Sequence, residues 1–91
     1  MNKINLEECD LYELSYIADE TLSCAAAYFY HMILKEQKKI KCNQQLINEY
    51  TLERSRIISI LIDSNEGSSR DNLEKNINLF SIYAMKLRDL D

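Results

Sequence analysis

Apolar and small side chains recur every third or fourth residue through the first part of the chain. This spacing places them on one face of a helix. The recurring positions are Leu11, Leu14, Ala18, Leu22, Ala25, Phe29 and Met32. Asn5, with Glu8 three residues later, predicts a capping box at the helix start, and no breaker follows before about Lys39. The pattern therefore predicts a first helix over residues 5–39, about 50 Å long and straight or slightly bent.

The same spacing predicts a second helix over residues 43–63, beginning at Asn43. Its predicted inner face carries Ile47, Tyr50, Arg54, Ile57, Ile58 and Leu61. The last turns read IISILI, an apolar run that is typical of either a buried strand or a buried helix end. We favour the helix, because a lone strand in an otherwise helical chain has no strand to pair with.

A third helix is predicted over residues 69–90, after the loop DSNEGSS. Ser68 and Asp71 have the spacing of a capping box. The apolar positions that follow are Leu73, Ile77, Phe80, Ala84 and Leu87. The chain has no proline, and Gly67 is its single glycine, so the tight turns of a β-rich fold are not available. We predict one all-α domain over residues 1–91, either a three-helix bundle or a helical hairpin with a third helix.

The segment CAAAYFY, residues 24–30, joins small side chains to large aromatic ones. Three consecutive alanines cover most of a helix circumference, so neighbouring helices can approach from several sides. A bundle of three helices covers mainly one stripe of each helix. We therefore expect the bundle to be completed by dimerisation, with Ala26 in the close contact.

Composition narrows the classes of function. The chain has 91 residues and a net charge of −4, which weighs against a general nucleic-acid binder. Its three cysteines form no CxxC pair, so reduced thiols in a cytoplasmic protein are expected. The longest nearly uncharged stretch, residues 21–34, is too short to span a bilayer, so no membrane association is expected. Abundant Ile, Asn, Lys and Tyr with little Gly and Arg indicate an AT-rich genome, such as that of a low-GC bacterium, a phage or a mobile element.

No arrangement of residues points to catalysis, a cofactor or a metal ion. Cys24 and His31 are about 10 Å apart along one helix, beyond the reach of a direct pair. In the histidine phosphotransfer motif a lysine follows at the third position and a glycine at the fourth, whereas Lys35 follows His31 at the fourth position. We therefore interpret His31 as a semi-buried or interface residue. The lysine-rich stretch at residues 35–41 is interpreted as a solvated helix end, with a phosphate or acidic-partner contact as the alternative.

Tyrosines and acids at the start of the first helix suggest a protein-binding surface. The predicted interface residues are Tyr12, Tyr16, Ala26 and Tyr30, and the predicted acidic patch is Glu7, Glu8, Asp10 and Glu13. Tyrosine combines apolar area with a polar tip, as interfaces favour, although partial cover of the core is an equal alternative for Tyr12 and Tyr16. The predicted function is non-enzymatic: a small bacterial or phage regulator that binds and inhibits a larger protein. Inhibitors of CRISPR nucleases and antitoxins belong to this class.

The alternative hypothesis is a DNA-binding transcriptional regulator that uses the start of the third helix. The side chains that could contact phosphates or base edges there are Arg70, Asn72, Lys75 and Asn76. Two features oppose it. The loop before this helix is longer than a helix-turn-helix turn, and Asp71 and Glu74 repel phosphate.

Overall fold

The computed structural model describes residues 6–64 and 69–90, which form three α-helices. The first, α1, is continuous over Leu11–Gln37, after a short 3₁₀ turn at Leu6–Glu8. It begins later than the sequence predicted, because Asp10 is extended and its carboxylate accepts from the Glu13 N–H at 2.7 Å. The Glu13 carboxylate accepts from the Asp10 N–H in return, which completes a capping box. The predicted cap at Asn5 lies outside the described residues.

The second helix, α2, spans Gln44–Ser64 and contains the whole IISILI run, so the helical interpretation of that run is confirmed. Its start agrees with the prediction: the Asn43 side-chain oxygen accepts from the Leu46 N–H at 3.2 Å. The third helix, α3, spans Arg70–Asp89. The cap of α3 is Ser69, whose hydroxyl accepts from the Asn72 N–H; the predicted cap at Ser68 lies outside the described residues.

The central helix α1 packs against both α2 and α3, which have hardly any contact with each other over the described residues. Helix α2 runs antiparallel to α1, since Tyr50 contacts Phe29 while Ile57 packs with Leu22 further back along α1. Helix α3 runs parallel to α1, since its early residues pack against the start of α1 and Tyr83, near its end, contacts Phe29. The predicted all-α fold of three packed helices is confirmed.

Two groups of buried side chains form the core. The aromatic cluster consists of Leu22, Ala25, Ala26, Phe29 and Ile57, with further aromatic rings packed around it. The aliphatic cluster consists of Leu14, Ala18, Leu73 and Ile77. The alanines of CAAAYFY thus let α2 approach α1 within one chain. Their burial is therefore explained without a second chain.

The fold is more extended than a compact chain of the same length. Its radius of gyration is 14.6 Å, against about 12 Å for a compact domain of this length. The Cα atoms span 48 × 30 × 14 Å, and α1 alone accounts for about 40 Å of that length. Two helices flanking a third leave the outer sides of all three exposed to solvent. Dimerisation stays a prediction.

Candidate protein-binding surface

Tyr12 and Tyr16 lie one turn apart on the same face of α1, next to its capping box. Their exposed fractions are 82% and 62%, so neither side chain serves as a cover for the core. Leu11 beside them is also exposed. The start of α1 thus presents two large amphipathic rings and an aliphatic side chain to solvent, and we call Tyr12 and Tyr16 the tyrosine pair.

An open groove between α1 and α3 lies directly beside the tyrosine pair. It is lined by Tyr16, Ile17, Glu20, Thr21, Cys24, Ala84 and Arg88. Because Ala84 has a small side chain, the groove stays open at the point where a larger residue would fill it. Carboxylate, guanidinium, hydroxyl and thiol groups line it together with apolar side chains. Sequence reasoning missed Ala84 and Arg88, since only the packing of α3 brings them beside Tyr16.

The four acids of the predicted patch are exposed at the same end of the molecule. Asp10 and Glu13 serve in the capping box, and carboxylates at a helix start are favoured by the helix dipole. Glu8 is exposed on the 3₁₀ turn, and Glu20 adds a carboxylate at the edge of the groove. Exposed carboxylates therefore lie around the tyrosine pair, together with the Arg88 guanidinium that lines the groove.

The other two predicted interface residues lie elsewhere. Ala26 is buried in the aromatic cluster, where a partner cannot reach it while α2 stays packed. Tyr30 is 48% exposed and carries the Arg54 guanidinium over its ring at 5.4 Å. The Tyr30 backbone lies about 21 Å along α1 from that of Tyr16. The structure brings Tyr12 and Tyr16 together but does not join them to Ala26 or Tyr30.

Of the four residues of the DNA-binding hypothesis, Arg70 is engaged within the chain. The Arg70 guanidinium donates to the carbonyl oxygens of Leu6 at 2.7 Å and Cys9 at 2.8 Å, and pairs with Glu74 at 3.3 Å. It also donates to the Glu7 carbonyl oxygen at 3.1 Å, so a phosphate would have to compete with four contacts. The remaining side chains of the set vary in exposure: Asn72 and Lys75 are exposed, and Asn76 is half-buried.

A second polar site lies at the opposite end of α1. The Glu36 side chain is buried, and its carboxylate accepts from the Asn43 N–H at 3.0 Å and from the Lys39 ammonium at 2.7 Å. The hydrogen bond from Lys39, followed by that from Asn43, holds the pKa of Glu36 below its ordinary value, against the effect of burial. The same hydrogen bond raises the pKa of Lys39. This site fixes the turn between α1 and α2, and no pattern in the sequence predicted it.

Over residues 6–64 and 69–90, no group of three histidine, cysteine or acidic side chains could hold a metal ion. His31 is exposed with its ring beside that of Tyr30. Within the same ranges every helix is too short or too polar to cross a membrane. No family model, curated protein or solved structure matches the chain.

Proposed function

We propose that this protein acts by binding another protein, without catalysing a reaction, and that the tyrosine pair and the groove beside it form the contact. One observation carries the proposal: two neighbouring tyrosines are mostly exposed on a rigid helix, next to an open groove. Folding alone gives no reason to keep two aromatic rings in solvent at this position. Tyrosine is enriched at the centres of protein interfaces, where its ring fills a pocket and its hydroxyl finds a hydrogen-bond partner.

The surroundings of the tyrosine pair define the chemistry of the partner. Glu13 and Glu20 are exposed on α1 within one turn of the tyrosine pair, and Glu8 is exposed on the 3₁₀ turn before it. An arginine of a partner can stack on a tyrosine ring and pair with a carboxylate at the same time. The proposed partner therefore presents basic side chains around an apolar centre. A small acidic protein of this kind regulates by covering the basic surface of a larger protein, and we propose that it acts as such an inhibitor in the cytoplasm of a bacterium or an infected host.

One double variant and a matched control test the proposal. Tagged wild-type protein, Tyr12→Ala/Tyr16→Ala and Leu52→Ala are used as baits in a lysate of the source organism or its host, with and without nuclease treatment. Leu52 is an exposed apolar residue on α2, away from the tyrosine pair. We expect one protein to be retained by wild type and by Leu52→Ala and lost by the double variant. With the purified partner, loss of the pair should weaken binding by about 2 kcal/mol or more, roughly thirtyfold.

The free energy of unfolding of each bait shows whether a loss of binding is caused by unfolding. Because both rings are exposed, the double variant should unfold within about 0.5 kcal/mol of wild type for each substitution. Equal retention of the partner by all three baits would remove the tyrosine pair from the interface. Retention that disappears with nuclease treatment would replace the proposal with the DNA-binding alternative.

A further inference from the structure

We infer that the outer face of α3 binds a second copy of this chain, with the two α3 helices antiparallel. Leu79, Ile82 and Met85 lie on this face, and each is more than half exposed. It lies on the opposite side of α3 from Leu73 and Ile77, which pack on α1. Nothing in the described part of the chain covers these three side chains.

The outer face of α3 has the spacing of a helix-pairing stripe. Its central line runs through Asp71, Lys75, Asn78, Ile82, Met85 and Asp89, separated alternately by four and three residues. The apolar members are Ile82 and Met85, and Leu79 lies beside the line. This is the alternation that keeps side chains on the seam between two long helices. Helix α3 therefore carries two stripes, one packed on α1 and one without a partner in the chain.

The order of charges along this stripe favours a second copy of the chain, in the antiparallel orientation, as its partner. Lys75 and Asp89 lie seven residues before and after Ile82. If two antiparallel copies meet at Ile82, Lys75 of each copy faces Asp89 of the other. This gives two equivalent ion pairs around a two-fold axis, as an interface between identical subunits requires. A parallel pair would place Lys75 against Lys75 and Asp89 against Asp89, which is unfavourable.

The nearby charges leave Lys75 and Asp89 available for this pairing. Arg70 takes Glu74, and the Lys86 ammonium lies over the chain's own Tyr83 ring at 5.6 Å. Within the described residues no ion pair of 4.0 Å or less includes Lys75 or Asp89. Pairing through the outer face of α3 leaves the tyrosine pair on α1 exposed, so a dimer would present two copies of the proposed binding surface.

Sedimentation equilibrium of the full chain over a range of concentrations tests the inference. We expect a reversible dimer for wild type and a monomer for Ile82→Lys. Leu52→Lys makes the same kind of change on the exposed side of α2 and should leave the dimer intact. Circular dichroism checks that each variant keeps its helices, which we expect because both residues are exposed.

Charge reversal tests the antiparallel arrangement. Lys75→Asp alone and Asp89→Lys alone each place like charges opposite one another and should raise the dimer dissociation constant roughly tenfold or more. The double variant Lys75→Asp/Asp89→Lys restores opposite charges and should restore the dimer. A wild-type chain that is monomeric throughout, or a dimer that survives Ile82→Lys, would overturn the inference. Failure of the double variant to recover would overturn the antiparallel arrangement.

Discussion

The two ends of the molecule have different kinds of side chain in their cores, although the same central helix runs through both. One end, which we call the aromatic end, contains the second half of α1, the turn to α2 and the aromatic cluster. The other, the aliphatic end, contains the start of α1, the 3₁₀ turn, the start of α3 and the aliphatic cluster. The tyrosine pair belongs to the aliphatic end.

Ring packing distinguishes the cores of the two ends. At the aromatic end the Phe29 ring lies 4.9 Å from that of Tyr83, 5.2 Å from that of Tyr28 and 6.1 Å from that of Tyr50, measured between ring centroids. The buried residues of the aliphatic cluster include no ring. Large side chains bury more apolar area each, so we expect the aromatic end to contribute more to stability.

Each end also has one charged side chain that holds the connecting backbone. Glu36 accepts from a backbone N–H of the α1–α2 turn, among the exposed Lys35, Lys38 and Lys41. Arg70 donates to backbone carbonyls of the 3₁₀ turn, next to the acidic patch. In both cases the sign of the charge is opposite to that of its neighbours. The comparison shows that segments with few apolar side chains can be fixed by a charged group bound to backbone atoms.

The largest expected effect comes from removing the central ring of the aromatic end. Phe29→Ala should lower the free energy of unfolding by about 3–5 kcal/mol, whereas Leu73→Ala in the aliphatic cluster should cost about 2–3 kcal/mol. The loss is smaller for Leu73 because Leu→Ala removes fewer buried carbon atoms than Phe→Ala. Urea denaturation gives both values if the slope with denaturant is unchanged. A larger loss from Leu73→Ala than from Phe29→Ala would reverse the comparison between the two ends.

A smaller loss of stability is expected from removing Arg70, the side chain that holds the backbone at the aliphatic end. Arg70→Ala should cost about 1–2 kcal/mol, below the usual range for buried charged hydrogen bonds because the side chain is partly exposed. It should also speed hydrogen exchange at the Cys9 amide, which donates to the Leu6 carbonyl at 3.2 Å. The stability of Arg70→Lys should fall between those of wild type and Arg70→Ala. A lysine ammonium lacks the planar fork of donors with which the guanidinium binds two carbonyl oxygens at once. Unchanged exchange at Cys9 would show that Arg70 does not hold the 3₁₀ turn.

Glu36, which holds the backbone at the aromatic end, should make the stability of the protein depend on pH. Because the pKa of Glu36 is lowered in the folded chain, its carboxylate stabilises the fold above about pH 4.3, the ordinary value for glutamate. That contribution is lost as the pH falls through the folded-state pKa. The raised pKa of Lys39 has the opposite sign: its contribution is lost as the pH rises through its folded-state pKa, above about 10.4.

The matched variant for this pH test is Glu36→Gln, which keeps an oxygen for the Asn43 N–H but loses the charge. We expect its urea midpoint to lie below that of wild type at neutral pH. The difference between the two midpoints should shrink in acid and in strong alkali. A difference that stays constant from neutral pH into acid would show that the Glu36 charge does not stabilise the turn.

The sequence by itself determined the helices. The recurrence of apolar positions, the shortage of glycine and proline, and the side chain of Asn43 were enough for three helices and for the start of α2. These signals are local, because a helix is stabilised between residues three or four apart. The start of α1 was misplaced for the same reason: Asn5 with Glu8 and Asp10 with Glu13 offer the same capping pattern. A local pattern alone does not rank them.

Only the tertiary structure decided which surfaces remained free. Arg70 makes its two shortest hydrogen bonds to the carbonyl oxygens of Cys9 and Leu6, which lie 61 and 64 residues away in the sequence. No local sequence pattern predicts such contacts. The burial of Ala26, the exposure of the tyrosine pair and the groove formed with Ala84 depend on which face of α1 each flanking helix covers. Periodicity identifies the faces of a helix that can pack, but the choice among them is made by the combined fit of all three helices.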